Sequence, residues 1–357
     1  MFYKGRITPM LAAVVGAVVG AAVRATVRTV VRTAVAAAGV ALVGAYTPVS
    51  AQGPGSHPNP YSRIDNFFKL PGARTIGSTA GVDMDRDGRS VWFFERCGAA
   101  ECVGSSVAPI LKFDPSGNLV ASFGAGMFAA PHGVHVDNNG NVWVADGGEG
   151  EGKGHQVFKF SPDGTLLMTL GQAGVAGDSP NTFNRPTDVL VAPSGEVFVS
   201  DGHGGDTNAR IVKFSADGTF IKAWGRKGSG PGEFDTPHAL VMDSSGRLFV
   251  GDRGNSRIQI FDQEGTFLEE WRQFGRPSGL FIDRNDRLYS TDSQSNDTTN
   301  PGGWQKGIWI GSARDGKVEA FVPDAPNGSQ EGIAADLDGN LYTSLTGGMA
   351  LKRYVKK

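Results

Sequence analysis

The chain has 357 residues, of which 34 are Lys or Arg and 36 are Asp or Glu, so its formal net charge is −2. Five of the basic residues and none of the acidic ones fall in residues 1–51, which leaves 29 basic and 36 acidic residues, a net charge of −7, in the remainder. Because that remainder has no basic cluster, we expect no binding of nucleic acid. The 52 glycines recur at turn positions and indicate a repeat rather than low complexity.

The first 51 residues predict a secretory signal. Arg24, Arg28 and Arg32 precede an apolar run at 34–46, and Val49-Ser50-Ala51 is a small-residue cleavage site. A retained membrane anchor is the alternative, although the apolar run is short for a membrane span. QGPGSHPNP at 52–60 follows as an extended linker, and 61–357 forms one domain. We therefore expect an exported protein, periplasmic or extracellular, with no other membrane association.

The rest of the chain consists of copies of one unit. Its first half is two alternating strands around a tight turn with an acidic end, as in PHGVHVDNNGNVWVAD and PHALVMDSSGRLFVGD. Fourteen residues separate His132 from Asp146, and the spacing recurs at 187–201, 238–252 and 278–292. The second half is another hairpin, whose turn carries Asp-Gly or Ser-Gly between apolar runs.

Four strands in about 50 residues match the size of a propeller blade. Five units are complete, whereas the sixth supplies three strands and ends in LKRYV. We assign the missing outer strand to NFFKL at 65–69, ahead of the first unit. The sequence therefore predicts an all-β fold, a six-bladed β-propeller whose ring is closed by an N-terminal strand, and we expect a monomer.

Three of the six axial positions carry metal-binding side chains. His132, His238 and Glu331 open the second, fourth and sixth copies, so a ring of six would bring them together on its axis. Two imidazoles and a carboxylate with open positions are a catalytic zinc set, and they also suit iron(II). The alternative for the histidines is an ordinary inner-strand position, and for Glu331 a carboxylate that lines a wet channel.

Arg96, His203 and Arg253 follow the second strands of their units, on the same face as the axial residues and the long loops. Irregular loops gathered on one face of a rigid scaffold are where binding and chemistry usually occur. The guanidinium groups suit a carboxylate ligand, and their alternative is a salt bridge to Glu95 or Asp252. For His203 three roles stay open: a fourth ligand, a proton shuttle at neutral pH, or a solvated loop residue.

Other residues are assigned structural roles. Cys97 and Cys102 are the only cysteines, and in an exported protein a local disulfide is favoured over a metal pair. His135 is expected to point away from the axis, and His57 and His155 to be incidental. The recurring acidic ends are expected to bind backbone groups at the blade edge: Asp146, Asp201, Asp252 and Asp292.

The stretch 184–261, which begins NRPTDV and ends RIQIF, has the NHL-repeat pattern. Together with FAAPHGVHVDNNGNVWVAD it resembles the lyase domain of the peptidylglycine α-amidating enzymes. The resemblance spans roughly residues 77–345 and is strongest over 128–262. It implies a six-bladed propeller with a catalytic zinc on three axial histidines, which splits a peptidyl-α-hydroxyglycine into a peptide amide and glyoxylate.

The resemblance assigns four residues directly. Two of the family's zinc positions fall on His132 and His238, and its two substrate-binding arginines fall on Arg96 and Arg253.

Three positions depart from the family pattern. The third zinc histidine aligns with Glu331, and a tyrosine of the family is His203 here. The aspartate expected beside the third histidine is Gly332, so the family's structural calcium is not carried over to this chain.

The leading hypothesis is an exported metal-dependent lyase that cleaves the carbon–nitrogen bond of a small or peptidyl α-hydroxy acid. Its metal, zinc or iron(II), would lie on His132, His238 and Glu331, with Arg96, His203 and Arg253 as catalytic residues. The second hypothesis is a non-catalytic NHL propeller that binds a peptide, glycan or protein on its looped face. The third is a six-bladed lactonase of the calcium type, which normally uses acidic and asparagine ligands. The axial positions here read otherwise: Ala80, His132, Thr187, His238, Ser278 and Glu331.

Overall fold

The computed structural model describes residues 57–324, 328–348 and 350–357. Within these ranges lie 24 strands in six antiparallel sheets of four. The predicted signal at 1–51 and residues 52–56 of the predicted linker lie outside the described residues. Of the residues described, no helix has the length and apolar character needed to cross a membrane.

Each sheet is one blade, numbered in chain order. Blade 1 comprises β2 (Val82–Met84), β3 (Val91–Phe94), β4 (Ile110–Phe113) and β5 (Leu119–Phe123). Blade 2 comprises β6 (Pro131–Val136), β7 (Val142–Gly150), β8 (Lys153–Phe160) and β9 (Leu166–Gly171). Blade 3 comprises β10 (Pro186–Val191), β11 (Val197–Asp201), β12 (Arg210–Phe214) and β13 (Phe220–Trp224). Blade 4 comprises β14 (Pro237–Met242), β15 (Leu248–Asp252), a 3₁₀ turn (Arg253–Asn255), β16 (Arg257–Phe261) and β17 (Phe267–Trp271). Blade 5 comprises β18 (Pro277–Ile282), β19 (Arg287–Asp292), β20 (Gly307–Ser312) and β21 (Val318–Pro323). Blade 6 comprises β22 (Gln330–Ala335), β23 (Leu341–Leu345), β24 (Ala350–Lys356) and β1 (Tyr61–Ile64).

The ring is continuous. Inner strands contact one another in the cyclic order β2, β6, β10, β14, β18, β22 and back to β2. The second strands are rich in β-branched and aromatic residues and are buried, as β11 is over its whole length, because both of their faces pack against neighbouring blades. Outer strands such as β13 alternate exposed and half-buried residues, since one face meets solvent. The predicted six-bladed propeller is confirmed.

The strand that closes the ring lies upstream of the predicted one. It is β1, at 61–64, which pairs antiparallel with β24, whereas the prediction placed it at 65–69. Those residues instead anchor blade 1: the Phe68 ring packs 4.8 Å from that of Phe113, and Lys69 donates its backbone N–H to the carbonyl of Gly117. Phe67 and Phe68 are adjacent and both pack against the core. An edge strand would turn one of the two side chains to solvent, because successive side chains of a strand point to opposite faces.

Candidate active site

A β-bulge marks the axial position in five of the six inner strands. The pairing register shifts around His132 in β6, around His238 in β14 and around Glu331 in β22. The same shift occurs at Thr187 in β10 and at Ser278 in β18. A bulge bends its strand and redirects a side chain. The bulge in each of these repeats therefore directs the axial side chain towards one end of the channel.

His132 and His238 are held in the same way. Nδ1 of His132 lies 2.7 Å from the carbonyl oxygen of Thr187, and Nδ1 of His238 lies 2.5 Å from that of Ser278. Because a carbonyl only accepts, Nδ1 carries the proton in both rings and Nε2 is left with a lone pair. Both Nε2 atoms are buried and have no partner among the described residues. The ring centroids are 4.5 Å apart, so two unpaired acceptors face one small space.

His203 completes this cluster from the loop after β11. Its ring centroid is 4.9 Å from that of His132 and 5.2 Å from that of His238. One ring nitrogen from each of the three lies within 4.8 Å of the others. The loop turns back sharply at Gly202, where φ is +131° and an added Cβ would lie 1.5 Å from the carbonyl oxygen of Asn208. That close approach favours glycine and brings the next residue over the axis.

The three imidazoles are neutral. Burial lowers the pKa of His132 and of His238 well below the usual histidine range, and the neighbouring imidazoles and arginines lower it further. Burial also lowers the pKa of His203 to about 3, with Arg253 as the next largest cause. Neutral imidazoles with Nδ1–H fixed by a backbone carbonyl and Nε2 free are the donors that zinc sites use. The residues present therefore fit a three-histidine metal centre.

This cluster differs from the predicted ligand set of His132, His238 and Glu331. The structure brings the two histidines together as expected, but the third member is His203, and within the described residues Glu331 does not belong to the cluster. The carboxylate of Glu331 turns to Arg253 instead. Two buried opposite charges stabilise each other, and either would be costly to bury alone.

The ion pair between Arg253 and Glu331 borders the histidines. Nη1 of Arg253 donates to Oε1 of Glu331 at 3.0 Å, and the two side chains keep 6% and 8% of their exposure. Nη2 of the same arginine lies 3.4 Å from Nε2 of His203, a weak contact. Burial raises the pKa of Glu331, while Arg253 and then Arg96 act to lower it. The alternative predicted for Arg253, a salt bridge to Asp252, is not the one formed, since Asp252 pairs with Arg257.

Arg96 is a half-buried cation whose charge acts on His132 and His203. Its Nε donates to the carbonyl oxygen of Pro131 at 3.2 Å. Among the described residues it forms no ion pair, and its predicted alternative partner, Glu95, pairs with Arg74 instead. Burial lowers its pKa, and Glu331 is the charge that most opposes this. Arg96 is therefore available to an anionic ligand.

The loop that carries Arg96 is braced on both sides. Cys97 and Cys102 form the predicted disulfide. The fully buried carboxylate of Glu95 accepts the backbone N–H groups of Gly77 and Gly98 and pairs with Arg74 at 2.9 Å. Glu95 occupies the position at which blades 2 to 5 have aspartate.

The recurring aspartates bind backbone amides, as predicted. Asp146 accepts the N–H groups of Ala129 and Ala130, just before its own inner strand. The same role is seen at three further positions: Asp201 with Asn184, Asp252 with Asp235, and Asp292 with Arg276.

Three histidines lie outside the cluster. His135 pairs with Asp83 at 3.2 Å, His155 accepts the N–H of Arg185, and the ring of His57 lies 6.2 Å from that of Trp309. None of the three belongs to the metal-binding group found among the described residues.

Sequence reasoning missed two contributors to the site. The carbonyls of Thr187 and Ser278 fix the tautomers of the two axial histidines, a role that side-chain identity does not reveal. Asp188 lines the channel beneath them, a cavity of about 240 Å³. Its carboxylate accepts the N–H of Leu240 in the next blade, and burial raises its pKa to about 7. The only sequence signal for Asp188 was its place next to an axial residue.

The NHL repeat family model matches residues 128–160 and 234–261. The chain is 44% identical over 156 residues to the peptidyl-glycine alpha-amidating monooxygenase of Mus musculus, a match that covers 41% of this chain and 15% of that protein. It is 38% identical over 145 residues to peptidyl-alpha-hydroxyglycine alpha-amidating lyase 1 of Drosophila melanogaster, covering 37% and 25%. It is 36% identical over 157 residues to the human NHL repeat-containing protein 3, covering 43% and 44%. The matched part is thus less than half of each relative.

Solved structures share the fold. A streptogramin B lyase superposes with a TM-score of 0.54 and 16% identity, over 83% of this chain and 97% of that one. A gluconolactonase from Xanthomonas campestris superposes with a TM-score of 0.55 and 18% identity, over 79% and 87%. At these identities the likeness extends to architecture alone. Taken with the repeat match and the sequence relatives, the chain is a six-bladed NHL-repeat propeller that resembles the peptidyl-α-hydroxyglycine α-amidating lyases.

Proposed function

We propose that this propeller is a metal-dependent carbon–nitrogen lyase that releases glyoxylate and an amide from an α-hydroxyglycine compound. The observation that carries the proposal is the pair of buried, partnerless Nε2 atoms of His132 and His238, joined by His203. An unpaired buried acceptor is rare and costly, and two aimed at one space call for a shared cation.

The metal would be held by His132, His203 and His238. When bound it supplies Lewis acidity, which lowers the pKa of a hydroxyl that it coordinates. The argument for iron(II) required a carboxylate ligand, and because Glu331 lies outside the cluster, the donor set supports zinc. No structural calcium is proposed.

Arg96 and the neutral histidines define what the site would accept. An unpaired guanidinium beside the cluster suits the carboxylate of an α-hydroxy acid, since it donates two parallel hydrogen bonds. The peptide or acyl part would extend into the loops on this face. The Cys97–Cys102 disulfide supports the proposal that the chain works in an oxidising compartment, as expected of an exported protein.

A direct test is glyoxylate release from N-benzoyl-α-hydroxyglycine by the purified full-length chain with one equivalent of zinc. We expect turnover that is lost in His132→Ala and His238→Ala and retained in His57→Ala, whose ring lies by Trp309. Zinc-loaded protein that releases no glyoxylate would overturn the lyase assignment.

The second candidate is a non-catalytic propeller that binds a partner on the looped face. It is favoured by the identity to NHL repeat-containing protein 3, which covers as much of this chain as the lyase matches do. Absence of bound metal at zinc excess, together with no glyoxylate, would support it.

A further inference from the structure

We infer that Glu331 is the proton acceptor of this site and that Arg253 is the residue that positions it. The inference rests on the proposed lyase function and concerns which side chain of this chain moves the proton. It differs from the sequence-based expectation that Glu331 is a metal ligand, and from the proton-shuttle role that was one of three left open for His203.

The first step is that His203 is committed to the cluster. Its ring lies within 5.2 Å, centroid to centroid, of both axial histidines, and one of its nitrogens lies within 4.8 Å of a nitrogen of each, so it is the third candidate ligand. A nitrogen that faces a metal is not free to take a proton from the substrate. The site therefore needs a second acceptor close by.

The second step considers the charged groups around the cluster. Those that act on the three histidines are Arg96, Arg185 and Arg253. None of these accepts a proton, because guanidinium groups stay charged in proteins. The carboxylates of the site must then be sought among the acidic neighbours of Arg96.

Three carboxylates neighbour Arg96: Glu331, Asp146 and Glu101. Asp146 is fully buried and its oxygens are occupied by backbone N–H groups. Glu101 is exposed to solvent. Asp188 lines the channel beneath the histidines, but its two oxygens accept the backbone N–H groups of Val189 and Leu240. Glu331 is the remaining candidate, buried at the register-shifted position of its inner strand that His132 and His238 occupy in theirs.

The third step is the geometry of Glu331 itself. Oε1 is held by Arg253, but Oε2 receives no hydrogen bond from any described residue, and the side chain keeps 8% of its exposure. The backbone is fixed from the neighbouring blade, where Thr291 Oγ1 donates to the Glu331 carbonyl and a Cβ on Gly279 would lie 2.0 Å from that oxygen. One oxygen is anchored and the other is available.

Arg253 links this carboxylate to the metal cluster. Its Nη1 reaches Glu331 and its Nη2 reaches His203. Through the 3.0 Å hydrogen bond it holds the Glu331 carboxylate beside the cluster without needing to touch substrate, while its 3.4 Å contact with His203 is weak. A guanidinium committed to an internal carboxylate is also a weaker anchor for an external one, which leaves Arg96 as the substrate's carboxylate site.

The proposed step balances without a co-reactant. The hydroxyl on the carbon between nitrogen and carboxylate gives its proton to Oε2 of Glu331. The oxygen lone pair forms the C=O bond of glyoxylate, and the C–N bond breaks with its electrons on nitrogen. The proton then passes from Oε2 to that nitrogen, which gives the amide and restores the Glu331 carboxylate.

The test compares Glu331→Gln, Glu331→Asp and Arg253→Lys with the wild type, and uses Glu101→Gln as the matched carboxamide control. Zinc content is measured by elemental analysis, and binding of N-benzoylglycine, which lacks the hydroxyl, by calorimetry. Turnover of N-benzoyl-α-hydroxyglycine gives kcat and KM.

We expect Glu331→Gln to keep one equivalent of zinc and to bind N-benzoylglycine within about threefold of wild type, while kcat falls by ~10²-fold or more. Glu331→Asp should recover part of kcat, Arg253→Lys should lower kcat with little change in KM, and Glu101→Gln should match the wild type.

Loss of zinc in Glu331→Gln would show a ligand role and overturn the inference, as would an unchanged kcat. A wild type that releases no glyoxylate would overturn the proposed function itself, so the two failures are distinct.

Discussion

Nδ1 of His132 lies 2.7 Å from the carbonyl oxygen of Thr187, the residue at the equivalent position of the next blade. His238 repeats the relationship with Ser278. Neighbouring blades thus fix the tautomer of each axial histidine, and the orientation of the candidate ligands is a property of ring closure rather than of any one blade.

The first prediction concerns metal content. Alanine at His132, His203 or His238 should each reduce bound zinc from about one equivalent to a small fraction, because three neutral imidazoles form the cluster. His57→Ala removes a histidine that lies beside Trp309 and should leave zinc unchanged. Elemental analysis of the purified full-length variants measures this, and a His203→Ala variant that holds zinc as the wild type does would exclude His203 from the centre.

Much of this fold could be predicted from the sequence because the spacing within the repeat is constant. The 14-residue spacing fixes strand, turn and strand, and placed His132 and His238 in equivalent positions two blades apart. Whether His203 or Glu331 is the third member of the histidine cluster could not be predicted from the sequence. It depends on a sharp turn at Gly202 and on the ion pair that Glu331 forms with Arg253, both set by loop geometry that the repeat does not specify.

The second prediction is that Arg96 dominates carboxylate binding. Among the described residues its guanidinium has no ion-pair partner, since Glu95 pairs with Arg74. Arg96→Ala should weaken binding of N-benzoylglycine ~10- to 100-fold, the worth of a charge-assisted hydrogen bond. Arg226→Ala, at a highly exposed arginine, serves as the control and should bind normally. Equal affinity in Arg96→Ala, measured by calorimetry, would place the carboxylate elsewhere.

The third prediction concerns stability. Asp252 and Arg257 form an ion pair at 2.8 Å with side chains 0% and 1% exposed, and Asp252 also accepts the N–H of Asp235. Asp252→Ala should lower the free energy of unfolding by ~3 kcal/mol, since Arg257 then keeps only Glu270 as a carboxylate partner and the N–H of Asp235 loses its buried acceptor.

The matched control for that prediction is Asp338→Ala, which breaks the exposed pair with Arg89. It should cost far less, because solvent screens an exposed ion pair. Urea unfolding of both variants at pH 7 gives the comparison. Similar losses in the two would mean that burial of the Asp252 pair contributes nothing beyond a surface contact.

The fourth prediction concerns the pH dependence of stability and rests on Asp188, which lines the channel. Burial raises its pKa from 3.8 to about 7, with His135 acting to lower it and Asp83 to raise it. Because the folded state holds this proton more tightly than the unfolded state, the contribution to stability is full below pH 4 and is lost as the pH rises towards 7.

Asp188→Asn removes that titration and keeps the shape of the side chain, although one of the two backbone N–H groups, of Val189 and Leu240, loses its acceptor. The free energy of unfolding of the wild type, relative to the variant, should therefore fall by on the order of 2 kcal/mol between pH 5 and pH 8, after allowance for screening by solvent in the channel. Asp83 and then Asp188 raise the pKa of His135 against its burial, so the difference between the two profiles includes the coupling of His135 to Asp188. Parallel stability profiles for wild type and variant would show that Asp188 is ionised throughout this range.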